Sequence, residues 1–109
     1  LKSAEGRARI LALAGRADAL VENFRPGYLE RIGLGPAELH AANPGLIIAR
    51  ISGYGQDGPY RDKPAFGAIG EAMGGLRHLT ANPGQTEHPP PRCGVSISDD
   101  LAGMYAAMA

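Results

Sequence analysis

The sequence predicts an α/β fold built on a parallel sheet, and two observations carry that expectation. Two short apolar runs, residues 17–22 and 46–51, have the length and composition of buried strands. Segments with helical spacing lie before, between and after them, in the order αβ(α)αβ…α. Strands joined through helices in this way pair in parallel. No internal repeat is present.

The elements follow in order. A first helix is expected over residues 3–15. Ser3 is a good N-cap, Glu5 and Arg7 fall in the first turns, and Ile10, Leu11, Leu13 and Ala14 give an apolar face. Gly15 suits the position just past the helix end. After the strand over 17–22 comes Asn23-Phe24-Arg25-Pro26-Gly27. Pro26 fits the first turn of a short helix that carries Tyr28, Leu29 and Ile32 and ends at Gly33. Pro36 opens another helix through Ala42, with Glu38 in its first turn, and Asn43-Pro44-Gly45 stops it. Leu46-Ile47-Ile48-Ala49-Arg50-Ile51 is the strongest strand signal, a continuous run expected to be buried on both faces.

A Gly- and Pro-rich irregular stretch fills residues 52–64. Residues 65–76 read as one helix, weakened by Gly67, Gly70, Gly74 and Gly75, so something is expected to pack closely against it. A Pro-rich loop covers 80–92, and residues 95–97 read as a short extended piece. Asp99 or Asp100 then caps a final helix. The chain opens on Leu1-Lys2-Ser3 and stops inside an apolar stretch, residues 101–109. The expectation is a fragment of a longer chain.

Composition narrows the function. The 109 residues carry 11 basic and 11 acidic side chains, which argues against a nucleic-acid surface or a polybasic membrane patch. One cysteine cannot make a disulfide framework or a Cys-based zinc site. No apolar run approaches the roughly 20 residues of a membrane helix, and no signal peptide is visible, so a cytoplasmic location is expected. His40, His78 and His88 show no metal-ligand spacing, so no metal is expected. The 16 glycines and 9 prolines are about twice the average usage.

Three segments could carry chemistry. Gly53-Tyr54-Gly55-Gln56-Asp57-Gly58 matches the dinucleotide fingerprint literally and follows a strand. That motif should open a helix, yet Pro59-Tyr60-Arg61-Asp62-Lys63-Pro64 follows, so the context fails. What remains is a loop at the C-terminal end of a parallel strand, where α/β ligands bind and glycine lets backbone N–H groups approach them. In the second segment, Asn23 to Gly27, a helix start beside Arg25 favours an anion and Phe24 offers a ring for stacking; a plain turn with a solvated arginine is the simpler alternative. In the third, Asp99-Asp100 is either a helix cap or a carboxylate nucleophile, kept ionised by the helix dipole. Residue types alone leave these alternatives open. Cys93 stands alone beside Arg92 and reads as an inert thiol.

Taken together, these segments resemble one family. Leu1-Lys2-Ser3-x-Glu5-Gly6-Arg7, Ala17-Asp18-x-Leu20-Val21-Glu22-Asn23-Phe24-Arg25-Pro26-Gly27 and Asn43-Pro44-x-Leu46-Ile47 are similar to blocks of the class III CoA-transferases, the CaiB/BaiF type. So are Ile51-Ser52-Gly53-Tyr54-Gly55-Gln56-Asp57-Gly58-Pro59-Tyr60 and Gly94-Val95-Ser96-Ile97-Ser98-Asp99. The family's chains are several times longer, and the resemblance implies that residues 1–109 are part of its large, Rossmann-like domain. The first strand–helix unit and the small domain would lie outside.

The resemblance implies roles. Asp99, with Gly103 four residues on, matches the catalytic aspartate; Asp100 lacks that glycine. Asn23, Phe24 and Arg25 match the loop that holds coenzyme A, Arg31 a basic residue near its phosphates, and Lys2 a basic position also near it. The segment from Lys63 to Phe66 is expected to line the CoA and acyl site. Acyl-CoA and a carboxylic acid would be the partners, in an interlocked homodimer. The family also holds α-methylacyl-CoA racemases, which place a histidine where this chain has Phe66. Without that histidine one of the two proton carriers is missing, which favours transfer over racemisation. A non-catalytic CoA-binding module is the third alternative.

Overall fold

A computed structural model describes residues 1–84 and 87–109. The chain divides into two compact units, Leu1–Asp62 and Lys63–Ala109.

The first unit is an α/β layer. Helix α1, Ala4–Ala14, starts where the Ser3 hydroxyl accepts the Gly6 N–H at 3.1 Å. Gly15 stands just past its far end, as expected, but with a right-handed φ of −60° rather than the left-handed turn of a glycine stop. Asn43 adds a side-chain cap. Its side-chain amide donates to the carbonyls of Ala14 (3.0 Å) and Ala17 (2.9 Å), which satisfies groups a helix end otherwise leaves open.

Strands β1, Ala19–Glu22, and β2, Ile47–Arg50, pair in parallel with Ala19 opposite Ile47 and Glu22 opposite Arg50. Between them lie α2, Tyr28–Arg31, and α3, Pro36–Ala42. Pro26 stands before α2 rather than in its first turn, because Gly27 takes the N-cap position with φ +77°. Pro36 begins α3 as its composition requires.

The core is small: Ala14, Leu39 and Leu46, flanked by Leu11, Ala17, Leu20 and Ile48. Here the strands depart from expectation. Ile47 and Val21 are each 66% exposed, so neither strand is buried on both faces. Side chains alternate along a strand, and Leu20 and its partner Ile48 are the ones that meet the core.

The second unit is helical among its described residues. The segment expected as one helix over 65–76 is two: α4, Gly67–Met73, and α5, Leu76–Leu79. Gly75, at φ +80°, turns the chain between them. Helix α6, Ile97–Met108, begins earlier than expected, so the extended piece over 95–97 does not form. Ser96 holds the N-cap position, and Asp99 and Asp100 lie inside the first turn rather than capping it. Of the Pro-rich loop over 80–92, residues 85 and 86 fall outside the described set.

Candidate active site

In the first unit the structure groups three side chains after the carboxyl end of β1. The Phe24 ring lies 4.9 Å from that of Tyr28, tilted by 36°. The Arg31 guanidinium sits 5.8 Å above the Tyr28 ring, within cation–π range. Phe24, Tyr28 and Arg31 therefore make one continuous stack of two rings and a cation. Asn23 and Arg25 are exposed beside it on the same loop. Phe24 also lines an apolar cavity of about 240 Å³ with Leu20, Leu29 and Leu34, and Leu1, the neighbour of Lys2, lines it too. Lys2 is exposed; its carbonyl accepts from the Arg7 guanidinium at 3.3 Å.

Sequence reasoning missed what holds this loop. Glu22, the last residue of β1, has a side chain only 3% exposed. One carboxylate oxygen accepts the Phe24 N–H at 2.7 Å, and the other accepts from Arg50 Nε at 2.8 Å. Arg50, the last residue of β2, reaches Glu30 of α2 with its other two nitrogens, at 2.8 and 3.2 Å. That two-point geometry is the strong form of an Arg–carboxylate contact. The hydrogen bond from Arg50 holds the Glu30 carboxyl below its ordinary value of 4.5. The hydrogen bond to Glu22, assisted by Glu30 and opposed by burial, raises the Arg50 pKa. A readable signal existed: opposite charges closing two strands expected to be parallel neighbours.

The loop over 53–58 confirms that no helix follows the glycine pattern. Gly55 and Gly58 have φ of +85° and +82°, and the chain continues in turns through Asp62. Tyr54 and Tyr60 meet edge to face at 5.5 Å, and the Gln56 amide donates weakly to Ser52 Oγ at 3.4 Å.

In the second unit the two aspartates differ in setting. Both are exposed, and both backbone N–H groups donate to the Ser96 carbonyl at 2.9 Å. Among the described residues the Asp99 carboxylate has no hydrogen-bond or ion-pair partner. It lies over Gly67, the first residue of α4: a Cβ built there would sit 2.8 Å from Asp99 Oδ2. One turn along, a Cβ on Gly70 would sit 2.6 Å from Ser98 Oγ. The Ser98 hydroxyl makes a long hydrogen bond, 3.4 Å, to the Gly67 carbonyl. Glycine at these two positions lets α6 close on α4 and sets where the Asp99 carboxylate rests. The glycine-weakened helix thus has the close neighbour its composition called for. Phe66, just before Gly67, is 77% exposed.

Nearby, Glu71 is fully buried and pairs with Arg77 at 3.1 Å, while its second oxygen has no partner among the described residues. Arg77 also donates to the Pro90 carbonyl at 3.1 Å, and Thr80 to that of Pro91 at 3.2 Å. These bonds tie the Pro-rich loop back to the helices. Cys93 is a half-buried free thiol. Among the described residues no cluster of His, Cys, Asp or Glu is arranged to hold a metal, and no helix is long and apolar enough to cross a membrane.

Known proteins resemble this chain in sequence and fold. Residues 1–109 match the model of CoA-transferase family III. The chain is 56% identical over 108 residues to a succinyl-CoA–D-citramalate CoA-transferase of Chloroflexus aurantiacus, covering 99% of this chain and 26% of that protein. It is 43% identical over 103 residues to an acetyl-CoA:oxalate CoA-transferase of Acetobacter aceti, covering 94% of this chain and 26% of that one. The crystal structure of a CAIB/BAIF family protein from Brucella suis superposes with a TM-score of 0.87 at 33% identity, over 98% of this chain and 28% of its own. The chain thus spans about a quarter of the length of the curated relatives it matches.

Proposed function

The chain belongs to CoA-transferase family III, and from that premise we propose that the full-length protein moves coenzyme A from an acyl-CoA donor to a carboxylic acid, with Asp99 as nucleophile. Residues 1–109 would be part of its Rossmann-like large domain. The protein would act in the cytoplasm as an interlocked homodimer, as the sequence resemblance implies.

The chemistry follows from a carboxylate acting as covalent nucleophile. The Asp99 carboxylate attacks the donor's thioester carbonyl, the C–S bond breaks, and CoA leaves as a thiolate. This makes a mixed anhydride of Asp99 and the donor acid. The thiolate then attacks the Asp99 carbonyl, displacing the donor acid as a carboxylate and leaving an aspartyl-CoA thioester. The acceptor carboxylate attacks that thioester and expels the thiolate again, forming a second anhydride. Attack of the thiolate on the acceptor's acyl carbon releases the new acyl-CoA and restores the Asp99 carboxylate. No proton is consumed, and each step trades one activated acyl bond for another.

The setting of Asp99 carries this reading. It is an exposed carboxylate, without a partner among the described residues, seated over a residue with no side chain. Asp100 has no such seat. Phe66 supports transfer rather than racemisation, because a phenyl ring carries no proton. Asn23, Phe24, Arg25, Arg31 and Lys2 are proposed to hold the CoA moiety, the cations facing its phosphates.

The test uses the full-length enzyme with succinyl-CoA and D-citramalate, the pair named for the 56%-identical relative. Asp99→Ala abolishes transfer while Asp100→Ala costs far less. Hydroxylamine traps the acylated Asp99 as a hydroxamate, read by mass spectrometry. Turnover near wild type in Asp99→Ala sinks the assignment.

A further inference from the structure

We propose that Arg50 is a positioning residue for coenzyme A binding: it clamps both ends of the loop from Asn23 to Gly27 and thereby presets the CoA-binding surface. This rests on the proposed CoA role of that loop and adds to it a residue that touches no substrate.

The geometry is a chain of hydrogen bonds. The loop leaves β1 at Glu22 and enters α2 at Tyr28. Arg50 bonds Glu22 before the loop at 2.8 Å and Glu30 after it at 2.8 and 3.2 Å. Glu22 passes the constraint on by accepting the Phe24 N–H at 2.7 Å. One guanidinium from β2 thus ties together the entry, the exit and one internal amide of a five-residue loop. The placement follows from register. Glu22 and Arg50 are direct partners across parallel strands, on the same face as Leu20 and Ile48 two residues earlier. An arginine suits this post because its planar fork serves two carboxylates at once, which an ammonium cannot do with the same geometry.

A loop fixed before its ligand arrives binds with less ordering cost. The Asn23, Phe24 and Arg25 side chains are exposed, while those of Glu22 and Arg50 are mostly covered. Removing the clamp should therefore weaken CoA binding without touching a CoA contact.

The test measures the affinity of the full-length enzyme for coenzyme A itself, by calorimetry, beside its thermal melting. Arg50→Lys keeps a positive charge against the buried Glu22 carboxylate but loses the fork. Glu30→Gln removes one arm at a half-exposed position and is the variant of record if Arg50→Lys fails to fold. Each is expected to raise the CoA Kd about tenfold, with melting still well above the assay temperature. The double variant is expected to be no weaker than the worse single one, since both break the same clamp. An unchanged Kd in Glu30→Gln overturns the proposal, as does simple additivity in the double variant. Arg25→Ala separates the two levels of inference. If it leaves the Kd unchanged, the CoA role of the loop fails; if it weakens binding while the clamp variants do not, only the clamp fails.

Discussion

Gly67→Ala in the full-length enzyme separates catalytic placement from stability. The new methyl carbon would lie 2.8 Å from Asp99 Oδ2, where ordinary contact begins at 3.4 Å, so the carboxylate must retreat by about 0.6 Å. The backbone accepts alanine, since Gly67 is not among the glycines of positive φ. Alanine gains about 0.5–1 kcal/mol over glycine in a helix. An Asp99 side chain pushed off its rotamer loses about 0.5–1.5 kcal/mol. The two nearly cancel, and the melting temperature should barely move. Turnover should respond on the proposed role of Asp99, because a nucleophile displaced by about 1 Å can lose about a hundredfold. Scaled to this displacement, kcat falls roughly tenfold or more. Gly70→Ala is the contrast. Its methyl would meet Ser98 Oγ at 2.6 Å and Ser98 Cβ at 2.8 Å. A Cβ moves only with its backbone, so the helices must part at about 1–3 kcal/mol. The assay is the CoA transfer proposed above, resolved by chromatography, beside thermal melting. A Gly67→Ala enzyme with kcat within twofold of wild type, or one less stable than Gly70→Ala, refutes the reasoning.

Two further outcomes test the frame that holds the site. Asn43→Ala removes the donor to two carbonyls at the end of α1, and unfolding in urea should show a loss of about 2 kcal/mol; a loss under about 0.5 kcal/mol would mean that water replaces the amide. Glu30→Gln should narrow its stability deficit on acidification. A carboxyl held below 4.5 by Arg50 contributes stability above that pH and loses it as the pH falls through the folded value. With 43% of its side chain exposed, the deficit at neutral pH is expected to be below about 1 kcal/mol. Urea midpoints between about pH 7 and 3 decide it, and a deficit that widens in acid contradicts the assigned cause.

Local chemistry made much of the fold legible. Ser3, Pro36 and Gly33 announce where helices begin and end through interactions within a turn or two, and the parallel order follows from strands alternating with helices. The misplaced features depend on distant partners. Gly15 stands at the helix end as expected but with a right-handed φ, and the side-chain amide on the last carbonyl comes from Asn43, 28 residues along the chain. The run from Leu46 to Ile51 reads as a strand buried on both faces, because apolar content reports what a surface could bury, not what covers it. Within the described residues one face meets the core and Ile47 stays exposed. Asp99 and Asp100 read as caps because the cap rule looks for a short side chain with an acceptor oxygen, a description Ser96 fits as well. The Ser96 carbonyl, accepting both of their N–H groups, starts the helix three residues sooner.

The clamp was hidden for a different reason, and that reason explains its rigidity. Glu22 and Arg50 are 28 residues apart and ordinary as strand-end charges. Only the register Ala19 to Ile47 makes them partners. The dependence also runs backward. A slip of one residue would turn Arg50 to the opposite face and leave the covered Glu22 carboxylate without its cation, at a cost of about 3–5 kcal/mol. The same slip would take Ile48 from the core. Apolar packing and the ion pair therefore select one register between them, and that register places Arg50 beside both ends of the loop. Specificity of strand pairing and preorganisation of the proposed binding loop thus share two side chains, Glu22 and Arg50.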